Sequence, residues 1–394
     1  MLLNTPMMTH TSLVPVIFLA IGFVVSVCAD PVSVGSAAEL ISLFEKTGGK
    51  PLETDIEVTA DLDFSGHTLP LGAFSNGTCM SFSGVFQGNG HSIKGLRIDS
   101  RDNEGYIDAG LFCSLKNATV ENFVIDSSCS FTGNNAGALS VSVNGSLTVR
   151  HTTNNADVSG KNSVGGFIGY VSRFVRGAVT SFEDCVNNGN VTGSDDDVGG
   201  FIGYFGYLYE VVNVTVAISN SINNGNVTGV FFVAGFIGYL YGNTNMVVSI
   251  SNSINNGIIK ESVIAGGFWG HISGSTNVIV TITNIINNGG VSGSQYMGGI
   301  VGSIDYDTNM TTTISNTINN GDITGSLRDV GGFVGDISAF VDAYSMSFNI
   351  LNSANKGSVS SKERTACGFF CVDPRYVVRT TMKNSINKGS VNAG

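Results

Sequence analysis

The densest ionisable groups in this sequence are Asp195-Asp196-Asp197 and the pair Asp305 and Asp307. Two carboxyl groups facing one bond are what cleavage of a sugar polymer requires, one protonating the leaving oxygen while the other serves as base or nucleophile. The first cluster falls in a turn ahead of a strand and the second in a variable stretch, so both read as solvated loop carboxylates and not as a catalytic pair. The five histidines, His10, His67, His91, His151 and His271, contain no His-Glu-x-x-His pair, and no Gly-x-Ser-x-Gly elbow occurs. A zinc peptidase and a serine hydrolase therefore lack their reacting groups. No Cys-x-x-Cys pair is present, and the sequence assigns no catalytic residue, no cofactor and no metal site.

Recognition chemistry is better represented. Tyr170, Tyr204, Tyr239 and His271 each follow the same short apolar core, and with Ser303 and Asp336 they mark a position that varies in kind while its surroundings repeat. Varied loop residues on a rigid scaffold are the usual arrangement for binding, so these four are the candidate binding-loop residues.

What must hold them in place is a repeat. Asn-Asn-Gly-type turns begin at Asn154, Asn187, Asn223, Asn255, Asn287, Asn319, Asn355 and Asn387, at intervals of 32 to 36 residues. Between them recurs a glycine-flanked core such as Gly165-Gly166-Phe167-Ile168-Gly169. A fixed period of this size means stacked units that bury their apolar faces against one another. Phe167, Phe201, Phe236, Phe268, Ile300, Phe333 and Phe369 are expected to stack as a core column, with the doubled glycines admitting a close neighbour. From Val248 to Ile254 apolar residues alternate, which places Val248, Ile250, Asn252 and Ile254 on one face. His151, Asp184, Asn220, Asn252, Asn284, Asn316, Asn352 and Asn384 share that register, and the six asparagines are predicted to form a buried, structural amide ladder.

Of 394 residues, 42% are apolar and 12% charged, which excludes a disordered acidic chain despite the net charge of −11. The acidic balance, without clustered Lys and Arg, argues against nucleic acid as a partner. Residues 1–29, with an apolar run from Leu13 to Val27, read as a signal peptide, and no later segment could span a membrane. Residues 30–134 read as an N-terminal cap and irregular first coils, with a helix over 36–48 begun by Ser36 and Glu39; residues 135–394 read as the regular repeats. Secretion would place Cys79, Cys113, Cys129, Cys185, Cys367 and Cys371 in an oxidising compartment. On one straight strand Cys367 and Cys371 would lie about 13 Å apart, so they read as small buried hydrophobes. Asn76, Asn117, Asn144, Asn190, Asn213, Asn226 and Asn309 begin Asn-x-Ser/Thr glycosylation triplets. The last coil offers a strand edge for pairing with another molecule.

Three stretches carry a family resemblance: Phe82 to Ile93, Ala109-Gly110-Leu111-Phe112, and the Gly-Gly-Phe-Ile-Gly and Asn-Asn-Gly series. Together they resemble the GLUG-type repeats of bacterial and protist surface proteins, found in adhesins and beside immunoglobulin A-cleaving metallopeptidases. Gly298-Gly299-Ile300-Val301-Gly302 and Cys367-Gly368-Phe369-Phe370-Cys371 depart from the pattern. The resemblance implies an all-β chain, a right-handed parallel β-helix (β-solenoid) with a short N-terminal capping helix, displayed at a cell surface for attachment. The expected function is thus a secreted or surface-displayed, adhesin-like protein that binds an extracellular glycan or surface protein and is not an enzyme. A β-helix polysaccharide lyase or glycoside hydrolase and a structural surface-coat or antigen protein are the alternatives.

Overall fold

The computed structural model describes residues 30–73, 78–100, 108–172, 176–206, 212–242, 244–305, 309–338, 346–372 and 378–394. The signal peptide expected over 1–29 lies outside them. Pro31–Gly394 is one compact unit, a parallel β-solenoid of about nine coils. In the coil that starts at Ile202 the strands are Ile202–Gly206, Val212–Ser219, Ile222–Asn223, Val227–Thr228 and Phe232–Ala234. Each pairs in parallel with its counterpart one repeat later, Ile202 with Ile237, Val216 with Val248, Asn223 with Asn255, Val227 with Ile259 and Val233 with Ala265. Repetition of these pairings builds three long sheets that enclose one core.

That core is the expected column. Phe167, Phe201, Phe236, Phe268, Ile300 and Phe333 are fully buried, and Phe369 nearly so. Ring centroids are 5.0 Å apart for Phe167 and Phe201, 4.6 Å for Phe201 and Phe236, and 4.7 Å for Phe236 and Phe268.

The predicted amide ladder is displaced. Asn220, Asn252, Asn284, Asn316, Asn352 and Asn384 are exposed, and each adopts the left-handed conformation, with φ between 49° and 54°. Asparagine is one of the few residues that enter this region readily. One such residue at the corner slips the inward-outward alternation: Val248 and Ile250 point in, Asn252 points out, and Ser253 and Asn255 point in. The buried ladder is therefore Asn154, Asn187, Asn223, Asn255, Asn287, Asn319 and Asn355, the first residues of the Asn turns. Each donates its Nδ2 to the Oδ1 of the next coil's asparagine at 2.7 to 2.8 Å. Each also donates to the carbonyl two residues on, for example Asn255 to Gly257 at 3.0 Å. Within the exposed corner column, Asn284 still donates to Asn252 at 3.2 Å and Asn384 to Asn352 at 3.1 Å.

The doubled glycines belong to the same construction. A Cβ at Gly200 would stand 2.6 Å from Asn223 Oδ1, and one at Gly299 2.5 Å from Asn319 Cγ. The second glycine is required because the buried amide of the neighbouring strand occupies the side-chain position. At the N-terminal side, Ser36 caps the helix Ala37–Lys46 by accepting the Glu39 amide at 3.3 Å, and Glu39 accepts the Gly35 amide at 2.7 Å. The buried Phe44 of this helix packs on Phe82 and Phe112.

Cys367 and Cys371 are not lone hydrophobes. They form a disulfide with Cα atoms 5.7 Å apart. The chain turns back between the strands Ala366–Cys367 and Phe370–Val372, so the straight-strand distance does not apply. Cys79 and Cys113 form a second disulfide, and Cys129 and Cys185 are free and buried.

Candidate functional site

Where the fifth strand of one coil turns at Gly-Gly-Phe into the first strand of the next, the outward residues of the two strands face each other. The first-strand column runs Tyr170, Tyr204, Tyr239, His271, Ser303 and Asp336 in unbroken register. The fifth-strand column runs Asp197, Phe232, Ile264 and Tyr296. It is offset by half a coil, since the Phe232 ring lies 4.4 Å from Tyr239 and 4.7 Å from His271.

Tyr170, Tyr204, Tyr239 and His271 thus stand on strands, not in loops as their variability implied. The three tyrosines are half-buried, whereas His271 is buried. Tyr204 and Tyr239 are 5.8 Å apart, Tyr239 and His271 5.1 Å, and Tyr239 and Tyr241 5.7 Å. Tyr239 shares a 3.0 Å hydrogen bond with Ser273. Tyr241 and Phe231, both about two-fifths exposed, give the strip an apolar outer rim. A row of ring faces of this kind presents both apolar area and phenolic hydroxyl groups.

Asp197 corrects the reading of its cluster as solvated. It lies on the strand Asp197–Gly199 and is buried. Burial, and then the neighbouring Asp196 charge, push its carboxyl up to about 8. Burial also raises Tyr239 to about 12, with the Asp197 and Asp305 charges adding to it. Asp305 lies two coils from the strand of Tyr239, and Asp307 lies outside the described residues. Burial lowers His271 to about 3, so its imidazole is neutral, and its 3.4 Å approach to Asp305 is a polar contact and not an ion pair. Among the described residues its Nδ1 and the Ser303 hydroxyl are buried without a hydrogen-bond partner.

Asp197 and Asp305 sit on strands two and a half coils apart, about 12 Å along the axis at the usual strand spacing. Carboxyl pairs of glycosidases stand roughly 5–9.5 Å apart. Phe232 and His271 also lie between them. Sequence reasoning missed Asp197, Phe232 and Tyr296 as one column. The signal was available: each precedes by one residue the apolar residue and small pair that open the core, as in Asp197-Val198-Gly199-Gly200 and Tyr296-Met297-Gly298-Gly299.

The glycosylation triplets are spread over the coil surface. Asn117, Asn190, Asn213, Asn226 and Asn309 are exposed, Asn144 is half-buried, and Asn76 lies outside the described residues. Among the described residues no helix is long and apolar enough to cross a membrane, and no cluster of metal-ligating side chains occurs.

No family model matches the chain. A stretch of 99 residues, 25% of the chain, is 34% identical to part of Halomucin from Haloquadratum walsbyi, and the match spans 1% of that protein's length. A crystal structure of a Bacteroides ovatus protein proposed to be an immunoglobulin A1 protease is similar with a TM-score of 0.48 and 16% identity, over 74% of this chain and 77% of that one.

Proposed function

We propose that this chain is a secreted or surface-displayed, adhesin-like binding protein of the GLUG-repeat kind, and that it recognises an extracellular glycan along the strip formed by Tyr170, Tyr204, Tyr239 and Tyr241. The observation that carries this reading is the strip itself: ring faces at successive coil levels, rimmed by exposed Phe231, on a scaffold that cannot easily deform. Two disulfides and the apolar leader expected over residues 1–29 support an oxidising, extracytoplasmic setting. Separation of Asp197 from Asp305 weighs against a glycosidase pair and in favour of binding without cleavage.

The test is an array of glycans and extracellular-matrix proteins probed with the purified chain, with released sugar assayed on the same spots. Retention on glycan spots without release is expected. Tyr241→Ala, an exposed position, should weaken retention about tenfold, the equivalent of one ring stacking contact of about 1–1.5 kcal/mol. Release of sugar would move the chain to the lyase or hydrolase class. Retention on protein spots alone, or full retention by Tyr204→Ala and Tyr241→Ala, would place recognition elsewhere, and silence throughout would favour a structural coat.

A further inference from the structure

Beside the buried ladder runs a second, exposed one. Asn188, Asn224, Asn256, Asn288 and Asn320 each donate Nδ2 to the Oδ1 of the asparagine one coil earlier, beginning at Asn155, at 2.7 to 2.8 Å. Each of the five is followed by glycine. Asn-Gly is the dipeptide most prone to deamidate, because no side chain on the second residue hinders its nitrogen. In that reaction the glycine nitrogen loses its proton and forms a bond to the asparagine Cγ. The Cγ–Nδ2 bond breaks, ammonia leaves, and a five-membered succinimide results. Water then opens the ring at either carbonyl, which leaves aspartate or isoaspartate.

The fold restrains both partners of the reaction. The amide N–H groups of Gly225, Gly257, Gly289 and Gly321 are each held 3.3 Å from a carbonyl of the preceding coil. The carboxamides of Asn188, Asn224, Asn256 and Asn288 are gripped at both ends, because each donates to the coil below and accepts from the coil above. Rotating Cγ toward the glycine nitrogen must break both bonds.

Asn320 is different. The next residue in its column is Lys356, whose N–H donates to Asn319 O at 2.7 Å as that of Asn320 does to Asn287 O. Among the described residues no hydrogen bond runs from the Lys356 side chain to Asn320 Oδ1, so the carboxamide ladder ends at Asn320. Asn320 is held through Nδ2 alone, so its carboxamide needs to break one bond fewer than the inner rungs to turn toward the glycine nitrogen. We propose that Asn320-Gly321 is the site at which the exposed amide ladder deamidates first, and that Lys356, by ending the ladder, determines this.

The consequence is directional. Once residue 320 is an acid it no longer donates to Asn288 Oδ1, so Asn288 becomes the terminal rung and conversion proceeds toward the N-terminus.

The intact folded chain is incubated at mildly alkaline pH, digested at intervals, and isoaspartate is mapped by peptide mass spectrometry. Asn320 is expected to convert about fivefold faster than Asn224, Asn256 or Asn288, the ratio for one extra net hydrogen bond of about 1 kcal/mol. Equal rates across the ladder, or faster conversion at an inner rung, would overturn the proposal. Lys356→Asn restores the residue type of the preceding coils. It should slow Asn320 to the rate of the inner rungs and make position 356 the reactive one; an unchanged Asn320 rate would remove Lys356 from the explanation. In urea the five steps should converge, and a ranking that survived unfolding would show that local sequence, not the ladder, sets it.

Discussion

The displaced ladder is open to a direct contrast between two asparagines three residues apart. Asn255 is fully buried, donates to Gly257 O and Asn287 Oδ1, and accepts from Asn223. Asn255→Ala orphans two buried acceptors, the Gly257 carbonyl and Asn287 Oδ1. At about 1–3 kcal/mol for each orphaned group the cost is about 2–6 kcal/mol. Asn252 is exposed with φ of 50°. Asn252→Gly keeps that backbone open and loses one exposed hydrogen bond, for about 0.5–1 kcal/mol. Trp269, the single tryptophan, is fully buried in the next coil and reports locally when unfolding is followed in urea by its fluorescence. A local probe matters because long repeat arrays can lose all-or-none behaviour. Midpoint shifts at an unchanged slope give the comparison. If Asn252→Gly cost as much as Asn255→Ala, the assignment of the corner residue to the outside and of the turn residue to the inside would be wrong.

Three other outcomes follow from the same geometry. The raised carboxyl of Asp197 keeps its proton in the folded chain up to about pH 8 while the unfolded chain releases it near 3.8, so stability should fall as pH rises between about 4 and 8. Asp197→Asn should flatten that slope and raise the urea midpoint at pH 8 by the equivalent of a few kcal/mol, and a parallel pH profile would refute the assignment. Reduction of the Cys79–Cys113 disulfide, which closes a sequence separation of 34, should cost about 4 kcal/mol, against about 2 kcal/mol for the short Cys367–Cys371 loop. Single Cys→Ser variants melted without reductant give the order, and a larger loss at Cys371 would contradict it. Gly235→Ala should behave like a buried-ladder variant, because its new methyl would collide with Asn255 and with the Gly267 carbonyl, and a melt within 0.5 kcal/mol of the parent, the usual limit for a surface change, would refute that contact.

Much of the scaffold could be read from residue order because period and burial coincide. Phe201 or Phe268 between glycines has one stable place in a stacked coil, and the recurrence at 32 to 36 residues fixes what it stacks on. The helix was equally legible, since Ser36 and Glu39 satisfy its first amides by local bonds that need no partner elsewhere. The ladder failed for a specific reason. Alternation by two is valid only while the backbone stays extended, and one left-handed residue at Asn252 reverses the parity of everything after it. The same residue type serves both positions, so composition gave no warning. Cys367 and Cys371 failed similarly, through a turn that the straight-strand distance ignored.

The outer strip was harder to read because its decisive relation is neither local nor periodic. Repeat spacing places Tyr204, Tyr239 and His271 in one column and Asp197 and Phe232 in another, but the half-coil offset between columns depends on how tightly the Gly-Gly-Phe turn folds back. That offset inserts Phe232 between Tyr239 and His271 and leaves Asp197 beside Tyr239 without bringing it to Asp305. It also means that variation along the strip is not independent from coil to coil. A change at Phe232 alters the support of two first-strand residues, Tyr239 and His271, in consecutive coils. A strip assembled in this way can diversify while its backbone remains fixed by the buried amides. That division between a repeated inner ladder and a varied outer column is the physical basis of the binding role proposed above.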